Sequence, residues 1–201
     1  MPKNISILGA GKSSITLIKY LSDLSKQLDI QVKVIALDVE YFEVNVFKNV
    51  IPIKLDINEE NKLVGCIKDS FIVVSMLPAF LHFKIAKICC KFSKNLITAS
   101  YLTPEIKSLE TEFFKKNAFL MMEMGLDPGI DHMSAMRIID RLRKKYEIKS
   151  FESYTGGLLA PNNFYNPWQY KFTWNTSNVV LGGKDGAVYL KDKKEITIPY
   201  K

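Results

Sequence analysis

Gly9-Ala10-Gly11-Lys12-Ser13-Ser14 joins a short apolar run, Asn4–Leu8, to a segment whose apolar residues (Ile15, Ile18, Leu21, Leu24, Leu28) recur at helical spacing. Between a strand and a helix, the first glycine permits a tight turn and the second lets a phosphate approach the backbone. The third position needs a small residue, which Ser14 supplies. Free N–H groups opening the helix would then face the phosphates of a dinucleotide. Asp38 closes the run Val34-Ile35-Ala36-Leu37-Asp38. A carboxylate there accepts hydrogen bonds from ribose hydroxyls and repels a 2′-phosphate, and no Arg or Lys follows before Lys48, so the pattern favours NAD over NADP. The alternative is that Asp38 simply starts a turn. Asp56, after the run Val50–Leu55, either reaches the adenine edge or caps the next helix. Gly11-Lys12-Ser13 also looks like the end of a nucleoside-triphosphate loop, but that motif needs a glycine where Ser6 stands inside the strand.

A second constellation is Met121-Met122-Glu123-Met124-Gly125-Leu126-Asp127-Pro128-Gly129-Ile130-Asp131-His132. It reads as a strand end that breaks into a Gly/Pro turn and enters a helix. Carboxylates and backbone N–H groups would then lie at the carboxyl edge of a sheet, where open α/β folds bind ligands. Taken alone, Asp131 reads as the N-cap of a helix running to about Tyr146. His82 on an apolar helix and His132 just inside a helix start lack a partner with metal-ligand spacing, so no metal site is expected. Cys66, Cys89 and Cys90 fit neither a zinc motif nor a disulfide framework, and read as small apolar filler.

The elements that must position these residues alternate. Strands are expected at Asn4–Leu8, Val32–Leu37, Val50–Leu55, Phe71–Leu77, Asn95–Ala99 and Ala118–Glu123. Helices are expected from Ile15, and over Glu59–Lys68, Ala79–Phe92 and Pro104–Lys116. This alternation predicts an α/β fold, a Rossmann-type doubly wound parallel sheet covered on both faces. After residue 128 the character changes to a helix, a strand at Lys149–Thr155, a loop rich in Gly, Pro and Asn, and a strand pair around Lys191–Lys194. The expected domains are 1–128, binding a dinucleotide, and 129–201, part of an α+β substrate or dimerisation domain that looks incomplete.

Several motifs together resemble the saccharopine dehydrogenase (saccharopine reductase) family. They are Gly9-Ala10-Gly11, Leu55-Asp56, Val74-Ser75-Met76-Leu77-Pro78, Thr98-Ala99-Ser100-Tyr101, Gly125 through His132, Gly156-Gly157-Leu158 with Ala160-Pro161, Asn166-Pro167-Trp168 and Tyr170-Lys171-Phe172. The resemblance implies an NAD(P)-dependent oxidoreductase of lysine metabolism that acts on the C–N bond of saccharopine. It implies that Gly9, Ala10, Gly11, Lys12, Ser13, Asp38, Asp56, Met76, Ala99, Ser100, Leu126, Asp127 and Pro128 line the dinucleotide. Ser100, Tyr101 and Asp127 would meet the amino-acid substrate, with Asp127 holding an ammonium or exchanging a proton with the amine. The chain departs from the family pattern at Thr155, where a Cys is expected, and at Leu159 and Asn162, which replace a Pro and a Glu. Family members are about twice as long, so their other substrate-carboxylate ligands lie outside this sequence.

Bulk properties narrow the remaining classes. The 201 residues are 47% apolar and 24% charged, with mean hydropathy at zero, as in ordinary globular proteins. No run suits a membrane span or a secretory signal, so the expected location is cytoplasmic. The net charge of +7 comes from scattered lysines such as Lys84, Lys87, Lys91 and Lys94. These mark solvated helix faces rather than a nucleic-acid groove, and the basic run Arg141–Lys145 falls where a helix should end. The expected partners are therefore a small amino-acid substrate and, through the second domain, a second copy of the chain. Tyr165, Trp168, Tyr170, Phe172 and Trp174 form an aromatic loop, readable as a substrate lid or a dimer contact. Two alternatives stay open: a polyamine-forming dehydrogenase of the same superfamily, and an inactive nucleotide-binding remnant, which the Lys-, Ile- and Asn-rich usage also suits.

Overall fold

A computed structural model describes residues 2–37, 47, 49–163, 166–171 and 186–199. Six parallel strands, β1 (Lys3–Leu8), β2 (Ile30–Ala36), β3 (Val50–Lys54), β4 (Ile72–Ser75), β5 (Asn95–Thr98) and β6 (Leu120–Met121), form one sheet in the order β3-β2-β1-β4-β5-β6. The strands run apolar because both faces are covered, and their period of two divides the core. Ile5, Ile7, Val32, Val34 and Val74 bury toward one face, where Ile18 of α1 (Ile15–Leu24) meets them. Leu8, Ile35, Val73 and Leu96 bury toward the other. They pack there with Leu63 and Ile67 of α2 (Glu60–Lys68), Ile85 and Cys89 of α3 (His82–Lys91), and Phe113 of a later helix. Each such aliphatic side chain, removed from water, contributes about 1.5–3 kcal/mol.

The span Pro104–Lys116 is two helices rather than one: α4 (Pro104–Lys107) and α5 (Glu110–Lys115). Thr103 caps α4 by accepting from the Ile106 N–H at 3.4 Å, with Pro104 at the first helical position. At the break the Leu109 N–H reaches back only three residues, to the Ile106 carbonyl at 3.0 Å. That tightened turn lets Ile106, Leu109 and Phe113 all face the core.

Three further expectations are corrected. The helix after the Gly/Pro turn, α6 (Ile130–Leu142), is capped by Gly129, not Asp131. Asp131 stands in the first turn, its carboxylate accepting from the Gly129 N–H at 2.9 Å. Lys149–Thr155 forms no strand, because no partner strand lies beside it among the described residues. Strand β6 spans two residues, since beyond Met121 the chain turns through Glu123 at φ 61°.

The chain divides into two compact units, Met1–Phe151 and Glu152–Lys201, which groups α6 with the parallel sheet. In the second unit, β7 (Ala187–Lys191) and β8 (Lys194–Ile198) form an antiparallel hairpin. Its turn residues, Asp192 and Lys193, both take positive φ, as a two-residue hairpin loop requires. No helix among the described residues is long and apolar enough to cross a membrane.

Candidate dinucleotide and substrate site

The strand order reverses between β1 and β4, and the usual ligand position in this topology is beyond their carboxyl ends. The glycine turn leaves β1 there. Gly9 has φ 100°, and a Cβ on it would stand 3.1 Å from the Met76 carbonyl oxygen, so only glycine fits both the dihedral and the space. Gly11 is different: it is extended at φ −75°, and no heavy atom lies within 4 Å of where its Cβ would be. Ser14, the third small position, is buried and donates its hydroxyl to the Gly11 carbonyl at 2.8 Å. Among the described residues, the N–H groups of Gly11, Lys12 and Ser13 have no hydrogen-bond partner, and they open α1. An open backbone with free N–H groups at a helix start fits a pyrophosphate.

The neighbouring strands bring further residues to the same edge. Met76 follows β4, and its N–H donates to the Leu8 carbonyl at 2.8 Å, fastening it beside the glycine turn. Ala99, Ser100 and Tyr101 follow β5, while Leu126, Asp127 and Pro128 follow β6. The Tyr101 hydroxyl donates to Asp127 Oδ1 at 2.9 Å, joining two of the residues expected to meet substrate. That hydrogen bond raises the Tyr101 pKa, with burial and the negative charges of Asp127, Asp131 and Glu123 adding to it. Asp56, two residues past β3, stands in a local turn, its carboxylate accepting from the Asn58 N–H at 2.8 Å. Asp38, Tyr165, Phe172 and Trp174 lie outside the described residues. Trp168 is exposed, and Tyr170 is held by Asn166 through a 2.7 Å bond to its carbonyl.

The Gly/Pro turn is held by its own backbone. The Gly125 N–H donates to the Pro128 carbonyl at 2.9 Å, and the Ile130 N–H to the Gly125 carbonyl at 3.0 Å. A Cβ on Gly129 would fall 2.1 Å from the Gly125 oxygen. The Asp127–Pro128 peptide is cis. His132, expected to lack a partner with metal-ligand spacing, lies with Asp131 at 2.7 Å, and ligand atoms of Asp127, Asp131 and His132 fall within 4.8 Å of one another. Burial raises the Asp131 carboxyl, but hydrogen bonds from the His132 and Gly129 N–H groups and the His132 ring outweigh it and lower its pKa.

Sequence reasoning missed two residues that organise this edge. Glu123 binds the two loops together: its N–H donates to the Ser100 carbonyl at 3.0 Å, and its carboxylate accepts from the Leu102 N–H at 3.1 Å. His82 is 1% exposed and bonded through both ring nitrogens, Nδ1 to the Ser75 hydroxyl at 2.9 Å and Nε2 to the Ser100 hydroxyl at 2.7 Å. Local spacing signals neither, since every partner comes from another strand end.

The fold and this edge define a Rossmann-type dinucleotide-binding domain. Residues 5–121 match the saccharopine dehydrogenase NADP binding domain, and residues 125–201 match the saccharopine dehydrogenase C-terminal domain. The chain belongs to the saccharopine dehydrogenase family. It is 38% identical over 147 residues to saccharopine dehydrogenase [NADP(+), L-glutamate-forming] of Saccharomyces cerevisiae, covering 73% of this chain and 33% of that one. It is 34% identical over 203 residues to the mitochondrial alpha-aminoadipic semialdehyde synthase of Mus musculus, covering 98% of this chain and 21% of that one. The apo structure of the yeast L-Glu-forming saccharopine dehydrogenase superposes with a TM-score of 0.78 at 33% identity, covering 98% of this chain and 44% of that one. The chain therefore spans less than half the length of these relatives.

Proposed function

We propose that this chain forms the cofactor-binding part, and one side of the substrate site, of an NADP(H)-dependent oxidoreductase acting on the C–N bond of saccharopine. The observation that carries this reading is the alignment of an open Gly11 backbone with Ser100, Tyr101 and Asp127 along the carboxyl ends of one parallel sheet, in a chain of this family. NADP replaces the NAD that Asp38 suggested. The matching family model is described as NADP binding, and the yeast relative's name specifies NADP(+).

In the balanced reaction, saccharopine, NADP+ and water give glutamate, 2-aminoadipate semialdehyde, NADPH and a proton, or the reverse. A bound nicotinamide would supply the hydride acceptor for the carbon that bears the secondary amine. The glycine turn would hold the pyrophosphate, and Lys12, exposed beside it, would supply positive charge. Asp127 accepts the Tyr101 hydrogen bond on Oδ1, and its second carboxylate oxygen would be available to the substrate amine. Tyr101 keeps that carboxylate oriented, so the pair positions the reacting bond and offers one site for proton exchange.

Titration of the chain with NADPH and NADH, followed by nicotinamide fluorescence, tests the cofactor; binding of neither refutes the reading. Saccharopine-dependent reduction of NADP+ tests the chemistry. NADPH binding without turnover would support the cofactor-binding part of this reading and not its chemistry.

A further inference from the structure

We infer that His82 is a positioning residue, which fixes the Ser100 hydroxyl at the ligand edge through a continuous Ser75–His82–Ser100 chain of hydrogen bonds. His82 opens α3, directly after the turn Ala79–Leu81, and its ring enters the sheet edge between the ends of β4 and β5. Nδ1 meets the Ser75 hydroxyl at 2.9 Å. Nε2 meets the Ser100 hydroxyl at 2.7 Å and the Thr98 hydroxyl at 3.2 Å. Ser75 and Thr98 are each 1% exposed, whereas Ser100, just past the end of β5, is only part-buried. The chain thus runs from the interior outward and ends on Ser100, the least buried of these three hydroxyls.

Ser100 is held at every polar atom. Its N–H donates to Thr98 Oγ1 at 3.3 Å, its carbonyl accepts from the Glu123 N–H at 3.0 Å, and its hydroxyl meets His82. Backbone bonds alone would leave the hydroxyl free to rotate, so the imidazole removes that last freedom. Burial keeps the ring neutral by pushing its pKa down to about 4. A neutral imidazole has one N–H and one lone pair, so its two nitrogens take opposite roles, Nδ1 toward Ser75 and Nε2 toward Ser100, the nearer of its two hydroxyl neighbours. With the proton on Nε2, Ser75 donates to Nδ1 and Ser100 keeps its own proton for a ligand acceptor. With the proton on Nδ1, Ser100 gives its proton to Nε2 and presents lone pairs only. His82 therefore sets both the direction and the polarity of the Ser100 contact, while remaining out of reach of the ligand itself.

This inference rests on the proposed cofactor reading, in which Ser100 touches the dinucleotide. The test compares NADPH affinity in wild type, H82Q, S100A and H82Q/S100A, with thermal melts as a folding control. H82Q and S100A are each expected to weaken binding roughly three- to tenfold, the worth of one hydrogen bond, and the double variant to match S100A alone. Independent, multiplying losses, or an H82Q chain that binds like wild type, overturn the inference. A wild-type chain that leaves NADPH unbound overturns the cofactor reading and this inference with it. If H82Q does not fold, 15N spectra of the imidazoles decide, with the second histidine identified by H132Q. NADPH, and separately S100A, should each shift His82 Nε2 far more than Nδ1. An unmoved Nε2 refutes the coupling.

Discussion

The two glycines of the first turn should respond to the same added methyl in opposite ways. At Gly9 the backbone sits at φ 100°, and a Cβ would meet the Met76 carbonyl oxygen at 3.1 Å. Holding an alanine at that dihedral costs about 1–3 kcal/mol, and β4 must give by a few tenths of an ångström besides. G9A should therefore melt earlier. At Gly11 the backbone is already extended, φ −75° and ψ 175°, with no heavy atom within 4 Å of the new Cβ. G11A restricts the unfolded chain without straining the folded one, so it should leave stability unchanged or raise it by about 0.4–1 kcal/mol. The same methyl stands where a pyrophosphate must approach the free N–H groups of Gly11, Lys12 and Ser13. Losing contact with even one charged oxygen costs about 1.4 kcal/mol or more, at least a tenfold weaker Kd for NADPH. Urea midpoints and fluorescence titration of both variants supply the two readouts. A G11A chain that is as stable as wild type and binds NADPH equally well would refute the reasoning, since the open space would then face no phosphate.

Other substitutions probe the remaining geometry. G129A places a Cβ 2.1 Å from the Gly125 oxygen at φ 152°, so the turn must break, and a loss of at least about 3 kcal/mol or of soluble expression is expected; a wild-type melting curve would contradict the turn. His82 binds a proton below about pH 4 in the fold but near 6.5 when unfolded, so the unfolded chain holds the extra proton between these values. Stability should be level above about pH 6.5, fall as pH drops toward 4, and lose about 2–3 kcal/mol relative to H82Q, measured by urea midpoints across that window. Equal pH profiles for the two chains would show that the ring is not buried neutral. Burial, reinforced by the neighbouring Cys90, pushes the Cys89 thiol up to about 12, so iodoacetamide should label half-buried Cys66 first in the native chain and Cys89 only after unfolding.

How far the sequence foretells this structure depends on where each signal resides. Strands β1, β2, β4 and β5 are legible because a strand buried on both faces needs a mostly apolar run, and such runs stand out in a single chain. The glycine turn and the Gly125–Gly129 turn are legible because glycine and proline report backbone geometry directly. The break between α4 and α5 is not legible: Pro104–Lys116 keeps helical spacing throughout, and only the core's demand for Leu109 shows that the turn must tighten. Asp131 misleads for a related reason. Its type suits a cap, but the Gly125–Gly129 bridge starts the helix earlier and leaves the carboxylate to bond back to the Gly129 N–H.

His82 shows what periodicity leaves out. Its position on an apolar helix, with no partner at metal-ligand spacing, says nothing of what its ring nitrogens meet. Yet an imidazole carries two polar nitrogens that cannot be left unpaired in a core without a cost of about 1–3 kcal/mol each. A histidine placed inside a sheet therefore entails partners, and the carboxyl ends of β4 and β5 offer Ser75, Thr98 and Ser100. Those strand ends also form the candidate ligand edge, because an α/β sheet opens where its strands finish. The core requirement and the site requirement thus converge on the same hydroxyls, and the buried ring that satisfies the first constrains the second.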